Sequence, residues 1–324
     1  MIEILSTGVL NSVQDLGRKG YLNIGVGHSG AMDCPALTIA NLLVGNDIND
    51  AGLEIALFPF KLKFIDDCRF ALTGANAKAY LDQIELPPHW SMDAKAGQTL
   101  TILTPTEGAR MYLAFSGGID VPLVMNSRST DLKTGFGGFQ GRGLLRGDRL
   151  PMCHTTAKSP RSGVGAAIAR QLPGKDFEVS IRVMPSAEFD WFDESAKFDF
   201  FNQPWTLTQE ANRMGMRLSG PSLKLARALE LFSHGILPGT VQVPPSGQPI
   251  VQMAEANTCG GYPKIVNVIS ADLWLLAQTP IGATIRFVQV DYASSHQAQE
   301  KQYAYLSDLG RALAALVRTT LPSN

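Results

Sequence analysis

Apolar positions in this chain come in short runs, cut at close intervals by glycine and proline, a rhythm that predicts short strands joined by tight turns. Strand-like runs fall at 53–60, 68–73, 78–81, 98–103 and 111–115, then again at 177–184, 205–208 and 284–290. Thr99-Leu100-Thr101-Ile102-Leu103 alternates with period two, as a half-buried strand does. Helical spacing is rarer. Asp33 to Asn46 predicts a short helix: Asp33 can cap it, Pro35 sits in the first turn, Leu37, Ala40 and Val44 share a face, and Gly45-Asn46 ends it. Short helices are also expected over 189–201 and 270–278. A final amphipathic helix over 294–319, started by Ser294-Ser295, repeats Leu306, Leu309, Leu313, Leu316 and Val317 at three- and four-residue steps and should dock on the body or on a partner.

Two series of strands separated by a polar, turn-rich segment at 154–175 imply a mainly β chain with two barrel-like domains, 1–160 and 176–290, and a helical tail at 291–324. Of the 324 residues, 45% are hydrophobic and 18% charged, enough for packed cores. A formal net charge of −1 gives no basic surface for nucleic acid or anionic lipid. No secretory signal or membrane-spanning run is apparent, and the four cysteines are widely spaced, so a cytoplasmic protein with free thiols is expected. The five histidines show no metal-ligand spacing, and no metal is expected; His28, beside Ser29, is the one to watch.

Candidate chemistry gathers in a polar knot of Glu255, Asn257, Thr258, Gly260-Gly261, Tyr262 and Lys264. Paired glycines permit positive φ or a close approach. The knot reads either as a small-molecule site or as a loop that closes a barrel. Ser29 lacks a nucleophile elbow and reads as a turn or ligand hydroxyl. Asn41, an amide among apolar neighbours, either braces a loop or faces a ligand. Gln14, Asp15 and Arg18 read as a turn tied by an Asp–Arg pair, which spacing favours, or as one wall of a site. The glycine-rich run 135–141 meets neither a dinucleotide nor a P-loop spacing and reads as a mobile or ligand-approaching loop. Arg128 and Arg142 suit a carboxylate, although Arg128 can instead pair with Asp131. Arg213 and Arg217 would share a strand face, there to bind an anion or to meet solvent.

The run Gly239-Thr240-Val241-Gln242-Val243-Pro244, with Gly247-Gln248-Pro249-Ile250-Val251 and Gly260 through Lys264, resembles the hallmark of the biotin-dependent carboxyltransferase-type family. Ser29-Gly30-Ala31-Met32-Asp33, Leu53-Glu54, Ser116 to Pro122, Ser127 to Leu132 and Arg213 to Pro221 extend the resemblance from near residue 8 to near residue 287. Glu255, Asn257 and Cys259 depart from the usual Asp, Gln and Thr. The family includes the C component of ATP-dependent 5-oxoprolinase, the carboxyltransferase region of urea carboxylase, and an antagonist of a sporulation-kinase inhibitor. The resemblance implies two cyclophilin-like barrels with a site between them. It implies Lys264, Tyr262 and Glu255 as catalytic candidates. Ser29, Asp33, Asn41, Arg128, Arg142, Arg213, Arg217, Gln248, Asn257, Thr258, Gly260 and Gly261 are the binding candidates, and Glu54 joins the N-terminal group. Three functions follow. The first is a 5-oxoprolinase component that works with companion subunits of the same complex, its A and B components, and takes ATP through that complex. The second is a carboxyltransferase that draws biotin from a partner and acts on urea or a related amide. The third is a non-enzymatic antagonist of a kinase-inhibitor protein. No covalently bound cofactor is implied, and the ligand is a small amide or carboxylate.

Overall fold

The computed structural model describes residues 1–153, 162–167, 171–174, 177–227 and 230–319. His154 and much of the expected linker lie outside them. The chain divides into two compact units, one of Met1–Arg18, Ser29–Gln171 and Tyr303–Asn324, the other of Lys19–His28 and Leu172–Gln302. The described part of the linker segment is not all loop, since Val164–Gly165 pairs with Trp90 and Ser91 as a strand.

The first unit is built on two six-stranded sheets rather than a single closed ring. One runs Arg149–Leu150, Ile2–Ser6, Phe60–Phe64, Thr99–Ile102, Ala79–Leu81, Ile84–Leu86. The other runs Val164–Gly165, Trp90–Ala94, Cys68–Asn76, Glu107–Phe115, Gly52–Ile55, Ser12–Gln14. Both contribute to one core. Phe60, Leu62 and Phe64 from the first sheet are fully buried, with Lys61 and Lys63 exposed between them. Phe70, Leu72, Leu113 and Phe115 join them from the second sheet. Each such side chain contributes about 1.5–3 kcal/mol over its exposed state, and a one-residue slip would turn the whole set outward. The apolar run expected over 53–60 breaks into two strands, Gly52–Ile55 and Phe60–Phe64.

The second sheet's other face carries Ala71 and Ala114, small enough to admit a helix. Helix α1 (Cys34–Val44) lies there with Ile39, Ala40, Leu43 and Val44. It ends as its sequence indicates: Asp33 Oδ1 accepts from Ala36 N at 3.0 Å, and Gly45 takes a left-handed conformation at φ 79°.

In the second unit, seven strands close into a barrel in the order Glu178–Pro185, Lys264–Val268, Thr240–Gln242, Ile250–Gln252, Gly215–Ser219, Trp205–Leu207, Thr284–Gln289. The parallel pairing of Glu178–Pro185 with Thr284–Gln289 completes the ring and leaves no free edge. The helix expected over 189–201 is a 3-10 turn, Phe189–Trp191, followed by α2 (Glu194–Asn202). Phe200 of α2 stacks on Phe287 at 4.5 Å and lies 5.9 Å from Trp205. A 3-10 turn at Ser270–Asp272 leads into α3 (Leu273–Gln278). The Asp272 carboxylate does not cap α3 but grips the Arg182 guanidinium at 2.6 and 3.0 Å.

Helix α4 (Tyr292–Thr319) begins earlier than its serines suggest, because Asp291 Oδ1 accepts from Ser294 N at 2.8 Å. Its later part packs Tyr305, Leu306, Leu309 and Leu313 against the α1 cluster, whereas Leu316 is exposed. The mainly β architecture with few helices and a C-terminal helix is thus the one expected. Among the described residues, no helix is long and apolar enough to cross a membrane.

Candidate functional site

In the second unit, barrel register makes the site. Gln242 ends its strand opposite Lys264, where a bulge shifts the pairing between Val241 and Gln242. Both side chains are buried. Among the described residues, the Gln242 amide nitrogen Nε2 has no hydrogen-bond partner. It faces Gly260, where an added Cβ would come within 2.5 Å of it. The glycine thus gives the Gln242 amide its room by close approach, not by positive φ, which neither Gly260 nor Gly261 adopts. An unpartnered buried donor is uncommon.

Lys264 Nζ donates to the Tyr262 carbonyl at 3.2 Å and lies 4.0 Å from Glu188 Oε2. Burial lowers its pKa from the usual lysine value, and the Glu188 charge partly restores it. Glu188 Oε2 also accepts from Lys264 N at 3.1 Å, and its Oε1 lies 3.6 Å from His234 Nε2. His234–Gly235 pairs with Cys259–Gly260 as a short ladder outside the barrel. The Tyr262 ring is half exposed beside this group. The register thus places a buried amide and a lysine on facing strands, with a glycine against the amide.

The remaining candidates in this unit are engaged elsewhere. Glu255 Oε1 accepts from Arg213 Nε at 2.6 Å, with both side chains more than nine-tenths buried. Arg217 turns to Glu210, its Nη1 donating to the Glu210 carbonyl at 3.0 Å. The expected shared anion face does not form, because Arg213 precedes the strand that carries Arg217 and each guanidinium has its own carboxylate. Gln248 bonds Gly220 through both ends of its amide, at 2.9 and 3.1 Å. Asn257 is exposed, and the Thr258 carbonyl accepts from Ile236 N at 3.0 Å.

In the first unit, Asp33 and Glu54 come together around Tyr112. Tyr112 Oη donates to Glu54 Oε2 at 2.7 Å and accepts from Asp33 N at 2.8 Å. Met32 N donates to the same Glu54 oxygen at 2.8 Å. Burial, then the charges of Glu54 and Asp33, push the Tyr112 phenol well above its ordinary pKa, so it stays a donor. Ser29 holds φ 50°, and its buried hydroxyl has no hydrogen-bond partner among the described residues. Asn41 is a brace: its Nδ2 donates to Asp50 O at 2.8 Å and Ile48 O at 3.3 Å, and its Oδ1 accepts from Asn46 Nδ2 at 2.9 Å.

The two candidate arginines of this unit are also held by the protein. Arg142 forms a fork with Asp148 at 2.8 and 2.9 Å. Arg128 Nε donates to Val121 O at 3.0 Å rather than to Asp131, whose Oδ1 caps Thr134 N at 2.9 Å. Asp15 does more than close a turn. Its Oδ1 accepts from Gly17 N (2.8 Å), Ser127 Oγ (2.7 Å) and Ser129 Oγ (2.5 Å), and its Oδ2 from Arg128 N (2.5 Å). Arg18 donates to the Val124 and Ser129 carbonyls and lies over the Phe136 ring. The glycine run packs on these groups: a Cβ at Gly137 would strike Arg18 and Ser129, and one at Gly138 would strike Thr130. Its glycines admit protein atoms rather than a ligand. A cavity of about 690 Å³ in this unit, walled by Asp67, Cys68, Arg69, Asp93, Met152 and Cys153, holds none of the candidate residues, and its Arg69 is tied to Asp93 at 2.7 Å.

Glu188, His234 and Gln242 are not among the residues that the sequence singles out. Gln242 stands inside the matched Gly-Thr-Val-Gln-Val-Pro run, where it could have been found. Glu188 and His234 carry no local signal.

Residues 24–289 match the model of the carboxyltransferase domain, subdomains A and B. The chain belongs to this carboxyltransferase family. Over 309 residues it is 47% identical to the C component of 5-oxoprolinase from Escherichia coli, covering 95% of this chain and 97% of that protein. The corresponding protein of Haemophilus influenzae is 40% identical over 96% of this chain and 98% of its own length. Urea amidolyase of Saccharomyces cerevisiae is 32% identical over 95% of this chain, which corresponds to 18% of that longer protein. Among solved structures, Kluyveromyces lactis urea amidolyase superposes with a TM-score of 0.87 at 31% identity, over 95% of this chain and 20% of that one. The motif segment from Gln242 to Lys264 also holds the paired Gln242 and Lys264 described above.

Proposed function

We propose that this chain is the C component of an ATP-dependent 5-oxoprolinase and that its second unit binds the cyclic amide. The observation that carries the reading is the unpartnered Gln242 amide beside Lys264 and Gly260, on a chain matched end to end by the C component of 5-oxoprolinase. Gln242 Nε2–H and the Lys264 ammonium supply donors for a lactam or carboxylate oxygen in a partly dry site, where such bonds are strongest. Opening the ring requires activation of the lactam oxygen by the γ-phosphoryl group of ATP, with release of ADP. One water adds at the carbon, and the C–N bond breaks as the ring nitrogen takes a proton. A second water hydrolyses the resulting acyl phosphate to glutamate and phosphate. Lys264 is the proton donor to the departing nitrogen in this reading, and the companion A and B components supply the ATP site.

The test is reconstitution with the A and B components and measurement of 5-oxoproline-stimulated ATP hydrolysis together with glutamate formation. Gln242→Leu is expected to raise KM for 5-oxoproline at least tenfold, since a lost hydrogen bond to a charged or developing-charge oxygen is worth about 1.5–3 kcal/mol. ATP turnover indifferent to 5-oxoproline would reject the reading. A second reading, carboxyl transfer from carboxybiotin to an amide nitrogen, draws on the likeness to the urea amidolyase structure. Carboxylation of urea by the chain with a biotinylated partner, in place of glutamate formation, would favour it.

A further inference from the structure

We propose that His234 and Glu188 form a proton path that recharges Lys264 from solvent. The inference rests on the assignment of Lys264 as proton donor and adds how the donor is restored. Three side chains run inward in order of burial: His234 is 45% exposed, Glu188 10% and Lys264 6%. Their facing atoms are 3.6 Å apart from His234 Nε2 to Glu188 Oε1, and 4.0 Å apart from Glu188 Oε2 to Lys264 Nζ. Glu188 thus offers one oxygen to each neighbour. Side-chain movements of about 0.5–1 Å bring both gaps within hydrogen-bond range.

The tautomer of His234 follows from its other nitrogen. Nδ1 lies 3.0 Å from the Phe232 carbonyl, which only accepts, so Nδ1 keeps its proton in both charge states. The proton that comes and goes is therefore on Nε2, the atom facing Glu188. When Lys264 has given up a proton, the Glu188 carboxylate takes one at Oε1 from the imidazolium, turns its carboxyl group and hands that proton to Nζ, returning to the carboxylate, while the imidazole regains its own from solvent. Charge and atoms balance, and no other reactant is needed. Glu188 is the charged group that acts on Lys264; the Cys259 thiol and the Tyr262 phenol are the other titratable groups on the neighbouring strand and loop. The ladder that pairs His234 with Gly260 holds the outer end of this path to the loop that faces Gln242.

The experiment has two arms. In the reconstituted complex, glutamate formation is measured from about pH 6 to about pH 9 for wild type, His234→Gln and Glu188→Gln. His234→Gln is expected to lower kcat about tenfold with KM unchanged, to shift the pH profile, and to be rescued by free imidazole, which a structural role would not permit. An unchanged rate, or a loss that imidazole does not restore, would overturn the path. The second arm needs no substrate. In the isolated chain labelled with ¹³C-lysine, the Lys264 resonance, assigned by its loss in Lys264→Arg, is titrated in wild type and Glu188→Gln. Removing the carboxylate charge is expected to lower the Lys264 pKa further, and an unmoved titration would overturn the coupling. Inactivity of the wild-type complex toward 5-oxoproline would count against the substrate reading, and this second arm would then decide the path.

Discussion

Asp15→Asn tests whether a single carboxylate organises the loop at 124–142. In the wild type, four donors converge on this buried group, three on Oδ1 and one on Oδ2. The best asparagine rotamer keeps its oxygen toward Gly17 N, Ser127 Oγ and Ser129 Oγ and turns its NH2 toward Arg128 N. Donor then meets donor, and one bond to a charged acceptor, worth about 1.5–3 kcal/mol, is lost. The other three bonds lose charge assistance, which roughly doubles a hydrogen bond's strength. The expected cost is about 3–6 kcal/mol, a large share of a typical domain's stability. For a unit of this size, about 2–4 °C is lost per kcal/mol, so the thermal midpoint of the first unit should fall by roughly 10 °C or more. Amide exchange gives the local measurement: the Arg128 and Thr130 N–H groups should lose protection before strands such as Cys68–Asn76 do. A midpoint within about 3 °C of wild type, with Arg128 protection unchanged, would refute the reasoning.

Lys264→Met should reduce turnover of the complex by at least about 10²-fold while leaving the melting temperature unchanged or slightly higher at neutral pH. The sign follows from its lowered pKa. Between the folded value and the unfolded value of 10.5, the unfolded chain binds more protons, so wild-type stability rises with pH through that window, and the variant should lack this rise. A large loss of stability instead would assign Lys264 to structure. Asn41→Ala should cost about 2–3 kcal/mol, measured by denaturant midpoint, with KM unchanged, because it strips the Ile48 and Asp50 carbonyls of their donor. A raised KM without loss of stability would show that the amide faces a ligand instead.

Short-range features are legible in the amino-acid order. The capped helix after Asp33 needs only its own residues, and so does the mainly β rhythm of apolar runs. The family motif also names Lys264, Tyr262 and the glycine pair directly. Even some local signals are easily missed: Phe60-Lys61-Leu62-Lys63-Phe64 alternates cleanly and forms a strand, but its apolar start merges with the preceding run. What tertiary structure decided was partnership. Arginines look alike in a sequence, and whether each meets a ligand or a carboxylate depends on which strand ends beside it. Arg213 found Glu255, 42 residues away, and Arg142 found Asp148. Glu188 reaches Lys264 across 76 residues because the strands beside them belong to a closed barrel whose register, bulged at Gln242, sets which side chains are neighbours. Propensity and patterning act over a few residues; barrel closure couples positions many residues apart, and that coupling left Gln242 facing a glycine without a partner.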